Sequence, residues 1–379
     1  MNVLHAPKNV GSHPSTLARA ENAARAALGL PGRSWSVNFS AQPGVAAADE
    51  DYRLRARANR GLLGKTAFAM GPLLYGARRW RRFDVLHLNF GESLLSFSRQ
   101  YPAAEMLDLP LWKLLGKRLF MTFQGCDVRQ KGLSALSPIS ACQRGHCDYA
   151  PCDASLDDRR RGMVQRVVRF CDKVFCLNPD LLAFVPGAEF LPYANVEPAL
   201  FDEPPRLGQG PPSGLPTVVH APTSRSIKGT PILERASQSL HSTVPHRLVL
   251  VEGRPREEVL AACAGADLVV DQLLVGWYGG LAVESMALGV PVLAYIDPLA
   301  KDAVPAAMRR ELPIVEATPA NVELVLGELL SDRARLREAG KRSRAYVRRW
   351  HHPESIARRM LRLYETPSQR FWDGFQPID

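Results

Sequence analysis

The chain has 379 residues, of which 46% are hydrophobic and 23% charged, and its formal net charge at pH 7 is +10. This length exceeds what one hydrophobic core usually supports, so we expect two domains. The composition excludes a disordered protein, and no apolar run reaches the roughly 18 residues of a membrane-spanning helix. The start, MNVLHAP, predicts a strand rather than a signal peptide, which favours a cytoplasmic protein. The positive charge suits sugar nucleotides, anionic lipid headgroups, acidic polysaccharide or nucleic acid.

The first half of the chain alternates between two kinds of pattern. Apolar runs predict strands at residues 1–6, 34–39, 84–89, 118–123 and 173–177. Helical patterns cover residues 17–28, 49–60, 68–82, 109–117 and 159–170. This alternation predicts a parallel sheet covered by helices.

A basic run, RRWRR at residues 78–82, ends one of these helices. An aromatic residue among arginines is typical of surfaces that bind nucleic acid or a membrane. The alternative is an exposed helix end, where positive charge is favoured by the helix dipole. A peripheral membrane contact therefore stays open, whereas nucleic acid is not the partner that we expect.

Polar residues follow the strand at 118–123. Asp127 is placed to orient a substrate hydroxyl or to stabilise positive charge that develops at a reacting carbon. The alternatives are a local ion pair between Asp127 and Arg129 or a helix cap.

Four of the seven cysteines, Cys126, Cys142, Cys147 and Cys152, are close together in the sequence, with His146 among them. Disulfides are rare in the cytosol, so the cluster suggests a structural Zn²⁺ held by four thiolates. The spacing is looser than that of paired Cys-x-x-Cys motifs. A set of reduced, partly buried thiols is the alternative.

The segment 202–216, DEPPRLGQGPPSGLP, is rich in Pro and Gly and has no period, so it predicts an interdomain linker. The predicted domains are then 1–201 and 217–350, followed by a C-terminal tail, 351–379. Helices are predicted at 320–330, 333–349 and 355–364, and His351 and His352 are expected at the surface.

After a predicted strand end at 218–222 comes the segment TSRSIKGT, residues 223–230, interpreted as a loop. Arg225 and Lys228 in this loop would lie at the carboxyl end of the strand, where open α/β sheets bind ligands. An arginine fork and a lysine charge both suit phosphate. Two solvated surface cations are the alternative.

A glycine-rich turn at residues 276–280 lies between two apolar runs, LVVDQLLV and PVLAY, and precedes a short helix, LAVESMALG. A helix start after a strand is an anion site, and Gly279 and Gly280 permit close approach of a diphosphate. Glu284, one turn into the helix, suits the hydroxyls of a ribose. An ordinary βα turn is the alternative.

The two segments HAPTSRSIKGT and GWYGGLAVESMALGVPVLAY resemble the donor site of retaining glycosyltransferases of the GT-B fold, group 1/family 4 class. The resemblance implies two Rossmann-like α/β domains whose parallel sheets face a central cleft. It implies a UDP- or GDP-sugar donor, and a glycan, lipid-linked or small-molecule acceptor on the first domain. The last helices would cross back onto that domain, and no cofactor would be needed for catalysis.

The resemblance also implies roles for individual residues. Arg225 and Lys228 would neutralise the diphosphate and assist its departure, and Glu284 would bind the ribose. The full set of donor-binding residues would be Gly11, Thr223, Arg225, Lys228, Gly279, Gly280 and Glu284. For Gly11 a plain βα turn is the alternative.

Two positions depart from the family pattern. Gly276 stands where members often carry a glutamate that faces the donor sugar, so Asp271 or a backbone amide would contact the sugar instead. Gln124 replaces a histidine, which removes acid–base chemistry at that position. A sugar-nucleotide epimerase of the same fold and a catalytically silent nucleotide-binding module therefore stay open.

Overall fold

The computed structural model describes residues 1–39, 50–51, 62–95, 105–143, 147, 152–201 and 214–377. Most of the predicted linker, residues 202–213, lies outside them. Within the described residues the strands form two separate sheets, one in each half of the chain, and every strand pair is parallel. No helix in these ranges is long and apolar enough to cross a membrane.

The first sheet has the strand order β3-β2-β1-β4-β5-β6-β7. Its strands are β1 Val3–Ala6, β2 Ser34–Asn38, β3 Glu50–Asp51, β4 Val85–Asn89, β5 Arg118–Phe123, β6 Lys173–Cys176 and β7 Glu189–Phe190. The central strands β1 and β4 are buried along their whole length, as expected for a parallel sheet covered on both faces.

The second sheet has the order β12-β11-β10-β8-β9. Its strands are β8 Thr217–His220, β9 Arg247–Leu250, β10 Leu268–Val270, β11 Val292–Ala294 and β12 Val315–Glu316. Because β9 and β10 lie on opposite sides of β8, the chain reverses its direction of winding between β8 and β10. Ligands of open α/β sheets bind at such a switch point, outside the carboxyl ends of the strands.

The helices cover both sheets. In chain order they are α1 His13–Leu28, α2 Leu62–Arg79, α3 Leu109–Leu114, α4 Lys131–Ser134, α5 Ala154–Phe170, α6 Arg225–Lys228, α7 Thr230–Leu240, α8 Arg256–Ala264, α9 Gly280–Ala287, α10 Pro298–Asp302, α11 Ala306–Glu311, α12 Val322–Ser331, α13 Arg333–Trp350 and α14 Pro353–Glu365.

Three predictions about these elements were wrong. The helix predicted at residues 49–60 is contradicted at Glu50–Asp51, which pair with β2 as an edge strand; residues 52–60 lie outside the described ranges. The run LVVDQLLV is a strand only over Leu268–Val270, so Asp271 begins an irregular segment. Arg225–Lys228 forms one helical turn rather than a loop, because the Ser224 side chain accepts a hydrogen bond from the Ile227 amide.

The C-terminal helix α14 packs on α1 of the first domain. Its Tyr364 hydroxyl donates to buried Glu21 at 2.9 Å and lies 2.7 Å from Nδ1 of buried His87. His351, expected at the surface, is fully buried, with Nε2 2.9 Å from the Tyr278 hydroxyl. That expectation was wrong because the partners of His351 come from distant parts of the chain.

Candidate functional site

The candidate site lies at the carboxyl ends of β8 and β10. After β8 the chain enters α6, which ends at Gly229 with φ +78, a conformation that favours glycine. This turn directs Lys228 toward the end of β10. Its ammonium lies 2.7 Å from Oδ1 of Asp271 and 2.7 Å from Oε1 of Gln272.

A second donor reaches the same carboxylate. The backbone amide of Gly279, at the start of α9, donates to Oδ2 of Asp271 at 2.6 Å. Asp271 is only 2% exposed. The lysine and the glycine turn predicted to hold a diphosphate therefore do meet in space, and a carboxylate of the chain itself takes the position of the anion between them.

Arg225 is oriented differently. Its guanidinium pairs with Glu234 of α7 at 2.5 Å and with Glu252 at 2.9 Å, and its side chain is 41% exposed. Thr223, just before α6, is exposed. Of the two predicted cations, Lys228 is the one whose contacts join it to the glycine turn.

Glu284 lies on α9 and is largely buried. Arg256, at the start of α8, donates from Nε to Oε1 of Glu284 at 2.8 Å. Burial raises the pKa of the Glu284 carboxyl, and the charge of Arg256 opposes that rise. The predicted ribose-binding carboxylate thus has an internal cation as its partner.

Gly279 and Gly280 are places of close approach. A Cβ on Gly280 would lie 3.0 Å from Nδ2 of Asn195, which donates to the Gly280 carbonyl at 3.0 Å. A Cβ on Gly279 would lie 3.4 Å from the ammonium of Lys228. Asn195 also accepts from Arg256 through its carbonyl at 3.3 Å, so a residue that follows β7 of the first sheet completes this site.

Gly276, where the family pattern often has a glutamate, lies in close contact with Asp297. A Cβ at this position would lie 2.6 Å from Cβ of Asp297, so no side chain fits without movement. The Asp297 amide donates to the Gly276 carbonyl at 2.9 Å, and its carboxylate caps α10 through the Leu299 amide. Asp271 faces Lys228 and Gly279, which are predicted donors to phosphate.

In the first domain, Gly11 precedes α1 with φ +60, and a Cβ there would meet no atom within 4 Å. Glycine is thus favoured at this position by its conformation rather than by crowding. His13, at the first turn of α1, accepts from the Ala194 amide through Nδ1 at 2.9 Å. Its Nε2 is buried and has no hydrogen-bond partner among the described residues. Burial lowers the pKa of His13 to about 3, so the ring is neutral near pH 7.

Asp127 closes the turn after β5. Its carboxylate accepts hydrogen bonds from the backbone amides of Gln124 and Gly125, the latter at 2.5 Å. Burial raises the pKa of the Asp127 carboxyl. Arg129 pairs with Asp180 at 2.5 Å. The contacts of Asp127 hold the loop in shape, and its predicted action on a substrate stays a prediction.

The four clustered cysteines are free thiols. Sγ of Cys126 lies 3.8 Å from Nη1 of Arg129, and Sγ of Cys152 lies 3.7 Å from Nη1 of Arg160. In the ranges that the structure describes, no three His, Cys, Asp or Glu side chains form a group that could hold a metal. His146 lies outside those ranges, and a zinc bound by Cys126, Cys142, Cys147 and Cys152 stays a prediction.

Sequence reasoning did not single out several residues of this site. Arg256, Asn195, His13 and Asp297 carry no motif, and each acquires its partner only through the tertiary fold. Arg256 opens α8, a helix that was not predicted, so no local pattern marked it.

Comparison with solved structures supports the fold. No family model and no curated protein matches the chain. It is similar to sucrose-phosphate synthase from Thermosynechococcus elongatus, with a TM-score of 0.60, 16% identity and coverage of 97% of this chain and 98% of that one. It is also similar to HepE from Anabaena, solved in complex with UDP-glucose, with a TM-score of 0.57 and 13% identity. That match covers 97% of this chain and 100% of HepE. A third similar structure is a Listeria monocytogenes protein described as a UDP-N-acetylglucosamine 2-epimerase, with a TM-score of 0.50 and 14% identity. That match covers 100% of this chain and 98% of the Listeria protein. The chain therefore has the GT-B fold, with two parallel-sheet α/β domains.

Proposed function

We propose that the protein is a glycosyltransferase that moves a sugar from a nucleoside diphosphate sugar, a UDP- or GDP-sugar, to a hydroxyl acceptor. The observation that carries the proposal is the convergence of Lys228 and the Gly279 amide on one anionic position at the switch point of the second sheet. A cation and a helix start are the donors that a diphosphate requires.

In this proposal the diphosphate displaces the Asp271 carboxylate from Lys228 and Gly279. The bond between the sugar's anomeric carbon and the diphosphate oxygen breaks, and the nucleoside diphosphate leaves with the electron pair. Lys228 stabilises the charge that develops on the leaving oxygen. The acceptor oxygen bonds to the anomeric carbon and gives its proton to the departing phosphate.

The acceptor, a glycan, a lipid-linked molecule or a small molecule, would enter from the first domain. The carboxyl ends of β1 and β4 flank the switch point of that sheet. We propose retention of configuration and a place in the family 4 class, on the strength of the sequence resemblance. Asp127 would act there by orienting the acceptor hydroxyl.

An epimerase of the same fold is the second candidate, because one structural neighbour is described as such an enzyme. Epimerisation needs a free acid and a free base next to the sugar. Of the two buried carboxylates at the candidate site, Glu284 is paired with Arg256, so only Asp271 is released when a diphosphate takes its place beside Lys228. This pairing favours transfer over epimerisation.

The test is incubation with a panel of UDP- and GDP-sugars, with and without a mixture of sugar acceptors, followed by chromatography of the products. Transfer releases a nucleoside diphosphate that increases with the acceptor concentration. An epimerase would yield a second nucleotide sugar without release. A silent binding module would show a change in its own melting temperature with a nucleotide sugar and would form no product. The proposal would be rejected by a second nucleotide sugar without release, or by binding without product.

A further inference from the structure

A second basic site lies away from the cleft, where the strands of the first sheet have their amino ends. There the chain forms an open cavity of about 310 Å³, at the small end of the range for ligand sites. Its lining consists of three arginines, two aromatic residues and one amide: Arg33, Arg79, Arg82, Trp35, Tyr75 and Asn2. None of these side chains is acidic.

The topology separates this cavity from the candidate donor site. Asn2 and Arg33 immediately precede β1 and β2, so they mark the edge where these strands begin. The candidate donor site lies instead at the carboxyl ends of β8 and β10. A ligand bound in the cavity would therefore not contact Lys228.

The charge of the cavity is not neutralised within the described residues. Arg33, Arg79 and Arg82 make no ion pair there, whereas Arg129, Arg159 and Arg256 each pair with a carboxylate. The carboxylate of Asp84, at the same sheet edge, accepts from the Asn2 amide at 2.7 Å.

The aromatic residues orient one of the arginines. The guanidinium of Arg79 lies over the Tyr75 ring, 4.1 Å from its centroid, and the Tyr75 ring packs edge-on against Phe39. Stacking of this kind fixes a guanidinium while its N–H groups remain available to an anion.

We propose that this cavity binds a phosphate monoester or diester, held by the guanidinium groups of Arg33, Arg79 and Arg82, with the organic part against Trp35. Guanidinium forks match phosphate oxygens, and an aromatic wall suits a carbon-bearing ester better than free phosphate. The phosphate belongs either to a soluble ester or to a lipid headgroup. The lipid case would account for the peripheral membrane contact considered from the run at residues 78–82.

The chain offers a matched control. Arg78 and Arg81 belong to the same basic run and are exposed, but they do not line the cavity. The double variants R79Q/R82Q and R78Q/R81Q therefore remove equal charge from the same helix end. Only the first pair removes ligands of the cavity.

The experiment measures binding of two probes. Calorimetry with sn-glycerol 3-phosphate tests the soluble ester, and co-sedimentation with phosphatidylglycerol vesicles, against phosphatidylcholine vesicles, tests the lipid. We expect binding to at least one probe to weaken at least tenfold in R79Q/R82Q and less than twofold in R78Q/R81Q. K228Q should leave this binding unchanged, and melting curves confirm that each variant is folded.

Three results would overturn the proposal. Equal weakening of probe binding in the two arginine double variants would indicate diffuse surface charge. Loss of probe binding in K228Q would place the probe in the cleft. The third result is that neither probe binds the wild type. Binding of vesicles alone identifies a lipid ligand, and binding of the soluble ester alone identifies a metabolite.

Discussion

The ammonium of Lys228 lies 2.7 Å from Oδ1 of Asp271, although 42 residues separate them in the chain. Parallel pairing of β8 with β10 brings the two together, because each residue follows one of these strands. The other oxygen of Asp271 accepts from Gly279. The candidate phosphate site is therefore occupied by a carboxylate of the chain, and any diphosphate must compete with it.

Removal of this competitor should strengthen binding. In D271N the amide loses the negative charge but keeps the shape, so we expect UDP or GDP to bind about tenfold more tightly in calorimetry, equivalent to about 1.4 kcal/mol. The control is D302N, which removes an exposed carboxylate, paired with Arg309, from α10. Weaker binding in D271N would show that Asp271 positions Lys228 for the ligand instead.

Glu284 should act on the ribose and not on the phosphates. We expect E284Q to weaken UDP binding about tenfold, since a hydrogen bond to a charged group is worth roughly 1.5–3 kcal/mol, and to leave pyrophosphate binding unchanged. The comparison is made by calorimetry with both ligands. E328Q, at an exposed glutamate, is the control. An equal loss for both ligands would contradict a ribose contact.

Gly276 and Asp297 should be energetically coupled. In G276A the new Cβ meets Cβ of Asp297 at 2.6 Å, and we expect a loss of about 1–3 kcal/mol in the free energy of unfolding. The double variant G276A/D297G should be more stable than the sum of the two single changes predicts. G162A, on α5 where nothing lies within 4 Å of the new Cβ, is the control. Additive effects would show that the two positions do not collide.

Three buried histidines should make stability depend on pH. Burial lowers the pKa of His351 to about 4, lowers that of His13 to about 3, and holds that of His87 well below 6.5. The unfolded chain then binds protons more readily below pH 6.5, so stability falls from there toward pH 4. Each histidine contributes up to about 1.4 kcal/mol per pH unit.

Urea unfolding at pH 7, 6 and 5 measures this slope. The slope of the unfolding free energy against pH reports how many protons the chain takes up when it unfolds. H351Q should lower that number by close to one, whatever its effect on stability at pH 7. H241Q, at an exposed histidine, should leave the slope unchanged. Equal slopes in the wild type and H351Q would contradict neutral burial of His351.

Local pattern was enough for most elements of the fold. The strand predicted at 118–123 is confirmed as β5, because a run of apolar residues of this length has few alternatives. The two-residue strand β3 was missed, since Glu50 and Asp51 have low strand propensity and pair only because β2 lies beside them.

The site was predictable in part for the same reason. The glycine turn and Lys228 are local motifs, and they do meet. The pairing of Glu284 with Arg256, and the contact of Gly280 with Asn195, depend on the tertiary fold. One sequence carries no signal for contacts between residues so far apart.

The central claim is that a nucleoside diphosphate binds between Lys228 and the Gly279 amide. The most direct test is calorimetry of UDP and GDP with the wild type and K228Q, a change that removes the charge and retains a hydrogen-bond donor for Asp271. We predict that one nucleotide binds the wild type and binds K228Q about 10- to 100-fold more weakly, or roughly 1.4–2.7 kcal/mol. K301Q, at a lysine paired with Glu316, should bind as the wild type does. Equal affinity in the wild type and K228Q, or no binding of either nucleotide to the wild type, would contradict the claim.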